Sequence, residues 1–112
     1  MNTPIVKPAC LILLLALWAM PGVAEPVWID VRSAAEHVVD HIDGDRRVSH
    51  DEIVPAAAEL FPDKDTPIYL YCRSGGRAGR AQAALQQAGY TQVFNAGGID
   101  DARKARGLSE SD

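Results

Sequence analysis

Apolar and polar positions fall into short blocks along the chain, and each block suits one element. Val27-Trp28-Ile29-Asp30-Val31 is apolar and β-branched enough for a strand. Ser33-Ala34-Ala35-Glu36 behind it has capping-box spacing, in which the serine caps a helix and the glutamate reaches back to the serine amide. A short helix is therefore predicted there. The same spacing at Ser49-His50-Asp51-Glu52 predicts a second helix start, broken or restarted at Pro55 before Leu60 and Phe61. Residues 62–67 carry two prolines and three charges, which is turn chemistry, and Ile68-Tyr69-Leu70-Tyr71 then reads as a short buried strand. Cys72 stands at its C-terminal end.

From Ala78 onward, Ala81, Ala84, Leu85 and Ala88 recur at helical spacing, with Gly89 placed to end the helix. Gln92-Val93-Phe94-Asn95 reads as another strand, and Ile99 to Arg106, closed by Gly107, as a charged last helix. Trp28 and Phe94 are expected in the core. Strands alternating with helices predict an α/β fold: one compact domain with a mostly parallel central sheet and helices on both faces.

The first two dozen residues do not fit that domain. Ala9 to Met20 is an unbroken apolar run, preceded by Lys7 and followed by Pro21, Gly22, Val23 and Ala24. A basic start, a short apolar core and small residues before a cut are the marks of a secretory signal. The run is short for a spanning helix, which needs about 20 apolar residues, and no basic stop-transfer cluster follows it. The reading is a signal over residues 1–24 cleaved after Ala24, a domain over residues 25–112, a periplasmic location and no permanent membrane anchor.

Charge narrows the partners. The 112-residue chain carries a net charge of −4. Loss of the leader removes Lys7 and no acid, so the remaining domain is more acidic still. A nucleic-acid surface would need clustered basic side chains, and none is visible. A small anionic substrate remains open, because a local focus of arginine can oppose the global charge. Cys10 falls inside the leader, which leaves Cys72 as the one thiol of the exported domain, without a partner for a structural disulfide.

In an open α/β sheet, ligands bind outside the carboxyl ends of the strands. Cys72 lies at such an end, followed by Arg73-Ser74-Gly75-Gly76-Arg77 and then a helix. The two glycines let the backbone curl so that amide N–H groups point inward, an anion nest at a helix N-terminus. The helix dipole adds partial positive charge, and Arg73 and Arg77 add two full charges. Each of these favours a thiolate, the nucleophile of sulfur chemistry, and such surroundings lower a cysteine pKa from ~8.5 to about 3.5–7.5. One cradle would thus bind an anionic donor and stabilise negative charge on a terminal sulfur. No general base is needed. Taken alone, a cysteine at a buried strand end is ordinary packing, but strand, cysteine, glycine loop, two arginines and helix together point to chemistry.

Residues 27 to about 101 resemble a rhodanese-type sulfurtransferase domain, and within that family its small exported single-domain members. Trp28-Ile29-Asp30-Val31-Arg32, His41-Ile42-Asp43-Gly44, the Cys72 to Arg77 loop, and Gly89 to Val93 running into Asn95-Ala96-Gly97-Gly98-Ile99 carry the likeness. The resemblance implies a cysteine that cycles between thiol and persulfide while passing sulfur from thiosulfate to cyanide or a thiol, with no cofactor. It makes Cys72 the nucleophile, the amides of Arg73 to Arg77 the cradle, and Arg77 or Arg73 the donor contact. Ala102 stands where the family usually has tryptophan, and Asp43 and Asp45 replace the proline and alanine of the common His-Ile-Pro-Gly-Ala segment.

Two other functions compete. Cysteine phosphatases and arsenate reductases of related fold place arginine after five intervening residues, where this chain has Ala78, with Arg77 one step early. A non-catalytic module that binds an anion or persulfide would carry the same loop. Elsewhere the residues read as structural. Asp30 and Arg32 are expected to fix the end of the first strand, the charges from Asp100 to Arg106 to form a solvated face, and His37, His41 and His50 to be structural or exposed, without metal-ligand spacing.

Overall fold

A computed structural model describes residues 24–110; the leader assigned to residues 1–24 lies, but for Ala24, outside them. Nine elements follow in order: β1 (Val27–Asp30), α1 (Ala34–Val39), β2 (Arg46–Arg47), a 3-10 turn (His50–Glu52), α2 (Ile53–Leu60), β3 (Ile68–Cys72), α3 (Gly76–Gln87), β4 (Val93–Gly98) and α4 (Ile99–Ala105). The strands form one all-parallel sheet in the order β2-β1-β3-β4. With β3 central, its apolar residues are covered on both sides, and Ile68, Leu70, Tyr71 and Cys72 are all buried. The α/β reading holds. Among the described residues no helix is long and apolar enough to cross a membrane.

The two faces are packed unequally. Ile29, Val31, Leu70 and Cys72 point into the larger core, which α2 and α3 close with Ile53, Ala57, Ala81 and Leu85. On the other face Tyr71 meets Ile42, Ile99 and Ala102. Ala102, in the place of a larger side chain, is fully buried, so a methyl group suffices to seat α4.

Local chemistry explains most boundaries and corrects several expectations. Ser33 and Glu36 form the predicted capping box at the start of α1. Ser49 does not: its hydroxyl donates to Asp51 at 2.7 Å, and the segment makes a 3-10 turn before α2 begins at Ile53. Pro55 lies in the first turn of α2 and does not break it, because the N–H it lacks would have had no partner there. Helix α3 starts at Gly76, two residues earlier than the apolar spacing indicates. Strand β2 was not foreseen. Phe94 is 42% exposed rather than core, since β4 is an edge strand, and Trp28 is only half-buried. In-register Trp28, Tyr69 and Phe94 stack across three strands, with centroids 4.5 and 4.9 Å apart, and shield one another instead.

Asp45 proves to be an anchor. Its carboxylate accepts the Tyr71 hydroxyl at 2.7 Å and pairs with Arg106 at 2.7 and 3.1 Å, tying the loop before β2 to the central strand and to the end of α4. Arg106 also lies over the Trp28 ring, 4.5 Å from its centroid. Burial, then the acceptor Asp45, push the Tyr71 hydroxyl far above its ordinary pKa, so it stays a donor. Asp45→Ala strands a buried hydroxyl and a half-buried guanidinium, and is expected to cost about 2–3 kcal/mol in urea unfolding.

Candidate functional site

The site sits where β3 hands over to α3. Cys72 ends the strand with 1% exposure, and its Sγ accepts the Gly75 amide at 2.9 Å. Burial pushes the Cys72 thiol up, but the amides of Ala78, Ser74, Gly75 and Arg77 outweigh burial and hold it below its ordinary value. The chain therefore curls around the sulfur as the loop sequence implies. Ala78 joins the donors unforeseen.

Gly75 makes the curl possible. It has φ +104, in the left-handed region, and a Cβ there would also lie 3.3 Å from the Gly97 Cα. The turn is held from the neighbouring strand. Asn95 donates its side-chain amide to the Gly75 carbonyl at 2.9 Å, and its Oδ1 accepts the Gly97 N–H at 2.9 Å. Strand β4 then bulges: Leu70 pairs with Asn95 but Cys72 with Gly98, one residue more on β4 than on β3. The bulge sets Gly98 against the Arg73 carbonyl so closely that a Cβ would collide with it. Asn95 and Gly98 were seen in the sequence only as parts of a family segment. Their support of the loop appears once the register of β4 is known.

The two arginines differ. Arg77 is bound by both oxygens of Glu36, at 2.6 and 2.9 Å, and that guanidinium holds the Glu36 carboxyl at about 2. Arg73 is exposed, and its guanidinium has no hydrogen-bond or ion-pair partner among the described residues. Ser74 and Gly76 are exposed at the loop's outer turn. The cradle thus has one committed guanidinium behind it and one free at its rim.

Behind the loop, Asp30 does fix the end of β1. Its carboxylate accepts the Arg32 amide and Nε at 2.9 Å each, pairs with Arg32 Nη2 at 2.8 Å, and meets His37 Nδ1 at 2.9 Å. Burial opposes its charge, but the bonds from Arg32 and His37 prevail and its pKa is lowered. His37 also stacks on His41.

Residues 14–105 match the family described as the rhodanese-like domain. The chain belongs to that family. It is 34% identical over 91 residues to thiosulfate sulfurtransferase PspE of Escherichia coli (strain K12), covering 81% of this chain and 88% of that protein. It is also 34% identical over 94 residues to a tRNA uridine(34) hydroxylase of Erwinia tasmaniensis, but covers only 27% of that longer protein. Among solved structures, a rhodanese with anions from E. coli superposes with a TM-score of 0.63 at 35% identity, covering 69% of this chain and 91% of that one. The rhodanese fold accounts for the parallel sheet with a cysteine loop at the carboxyl end of its central strand.

Proposed function

We propose that the protein is a thiosulfate sulfurtransferase that carries sulfur as a persulfide on Cys72. The observation that carries this reading is the ring of amides converging on a buried sulfur, which favours a thiolate without any neighbouring base. The likeness to PspE over most of both chains supports the donor.

In the first half-reaction the Cys72 thiolate attacks the outer sulfur of thiosulfate. The Sγ–S bond forms, the S–S bond of the donor breaks, and sulfite leaves with the electron pair. In the second, cyanide or a thiolate attacks the terminal sulfur, and the electron pair of the Sγ–S bond returns to Sγ. No proton has to move, so no general base is required, and the chemistry calls for no cofactor. Arg73, unpaired at the rim, meets the donor's oxyanion. Arg77, held by Glu36, fixes the far wall of the cradle. The leader pattern in residues 1–24 supports cleavage after Ala24 and a periplasmic location.

Incubation with thiosulfate should add the mass of one sulfur atom to the protein, and cyanide should remove it as thiocyanate. An anion-binding module would gain no covalent sulfur. Aryl phosphates should not turn over, because the arginine needed one residue later is Ala78. Arg73→Ala should raise KM for thiosulfate about tenfold with kcat largely kept, from loss of one charge-assisted contact. An unchanged KM would move the donor contact to Arg77 or to the backbone.

A further inference from the structure

Beside the cradle lies a cleft of about 550 Å³ that the reaction with thiosulfate and cyanide leaves unexplained. That volume belongs to the range of sites for drug-sized organic ligands, about 300–1,000 Å³. Cyanide would fill a small corner of it. One wall is α1, whose six residues include Ala34, Ala35, Val38 and Val39, with none of the six buried. Val39 is 87% exposed and lines the cleft with Ala35 and Ile99. Such apolar exposure on so short a helix gains nothing for folding.

The charges at the cleft are not equivalent. Asp40 is engaged bidentately by Arg103 at 2.7 and 3.1 Å, and Asp100 meets the same guanidinium at 3.3 Å. Glu36 is engaged by Arg77. Arg73 is the one cleft guanidinium without a partner among the described residues. With its acids answered, the cleft offers a ligand an apolar wall and one open positive charge, carried by the residue that follows the nucleophile in the chain.

We infer that this cleft is the acceptor subsite and that it selects an organic thiol bearing an apolar body and a carboxylate. The inference rests on the sulfurtransferase reading. The apolar body lies on Ala35, Val39 and Ile99, and the carboxylate takes the Arg73 guanidinium once sulfite has left it. The acceptor thiolate then bonds to the terminal persulfide sulfur, the Sγ–S bond breaks with its electrons returning to Cys72, and an organic persulfide departs. One arginine serves donor and acceptor in turn, so excess thiosulfate competes with the acceptor for the rim of the persulfide enzyme.

The matched probes are mercaptohexanoate and mercaptohexanol, with thiol-free hexanoate and hexanol for binding alone. Hexanoate should shift the amide resonances of Ala35, Val39 and Arg73 and bind about tenfold tighter than hexanol, the worth of one charge-assisted contact. Ala35→Trp, an exposed helix position that narrows the cleft, should weaken hexanoate binding severalfold. In turnover it should raise KM for mercaptohexanoate by a similar factor while the rate with cyanide changes less than about twofold. Equal binding of hexanoate and hexanol would overturn the inference, as would an Ala35→Trp enzyme that binds hexanoate like wild type or loses cyanide and thiol turnover in parallel. Failure of the sulfurtransferase reading looks different: no covalent sulfur after thiosulfate, whatever hexanoate does.

Discussion

Cys72→Ser is expected to lose sulfur transfer by a factor on the order of a thousand or more, while the domain remains folded. The cradle is built of donors: the Gly75 amide reaches Sγ at 2.9 Å, and the amides of Ser74, Arg77 and Ala78 add to it. A thiolate answers such a ring with charge. A serine hydroxyl accepts the Gly75 N–H but is far too weak an acid to ionise, and an oxygen forms no persulfide. Its proton also meets donors where it needs an acceptor, so a loss of about 1 kcal/mol of stability should accompany the exchange. Mass spectrometry after thiosulfate and thiocyanate formation with cyanide are the two readouts. Turnover within tenfold of wild type, or covalent sulfur on the serine variant, would remove Cys72 from the mechanism.

Much of that site was legible because it is local. The apolar run Ile68 to Tyr71, the cysteine after it, two glycines and a helix form one contiguous stretch, and the strand–loop–helix geometry follows from short-range preferences. The capping box at Ser33 was legible for the same reason. At Ser49 the identical spacing misled, because Asp51 lies nearer and captures the hydroxyl. Strand β2 was hidden, since Arg46 and Arg47 have no strand-like alternation and are paired only through the register with Ile29 and Asp30.

What stayed out of reach depends on contacts distant in sequence. Glu36 and Arg77 lie 41 positions apart, so composition shows two arginines near the cysteine without showing that one is already taken. In the sequence Asp45 shows only as a replacement for the alanine of the common family segment. It holds that loop because Tyr71 and Arg106 arrive from β3 and from beyond α4. Phe94 reads as core by residue type, but its exposure is decided by which strand ends up at the sheet edge.

Gly98→Ala is expected to be the most damaging substitution of a residue that never touches substrate. Gly98 has φ −90 and ψ 170, a conformation open to any residue, so backbone strain is not the reason. Space is. The β4 bulge brings Gly98 opposite Cys72, where a Cβ would collide with the carbonyl oxygen of Arg73. Neither side yields easily. The Gly98 N–H is held by Asp101 at 2.8 Å, and Arg73 is covalently bound to the buried Cys72. Overpacking against backbone should cost about 3 kcal/mol, or a fall of about 10 °C or more in Tm for a domain of this size. If the Arg73 peptide is what gives way, the Ser74 and Gly75 amides turn from the sulfur with it. The thiol pKa then rises toward its ordinary value, and the pH–rate profile moves to the alkaline side. Gly76→Ala is the stability control, since its Cβ meets nothing within 4 Å and its φ is not positive, so its Tm should hold. A Gly98→Ala protein with wild-type Tm and an unmoved pH profile would mean that the β4 bulge does not support the cradle.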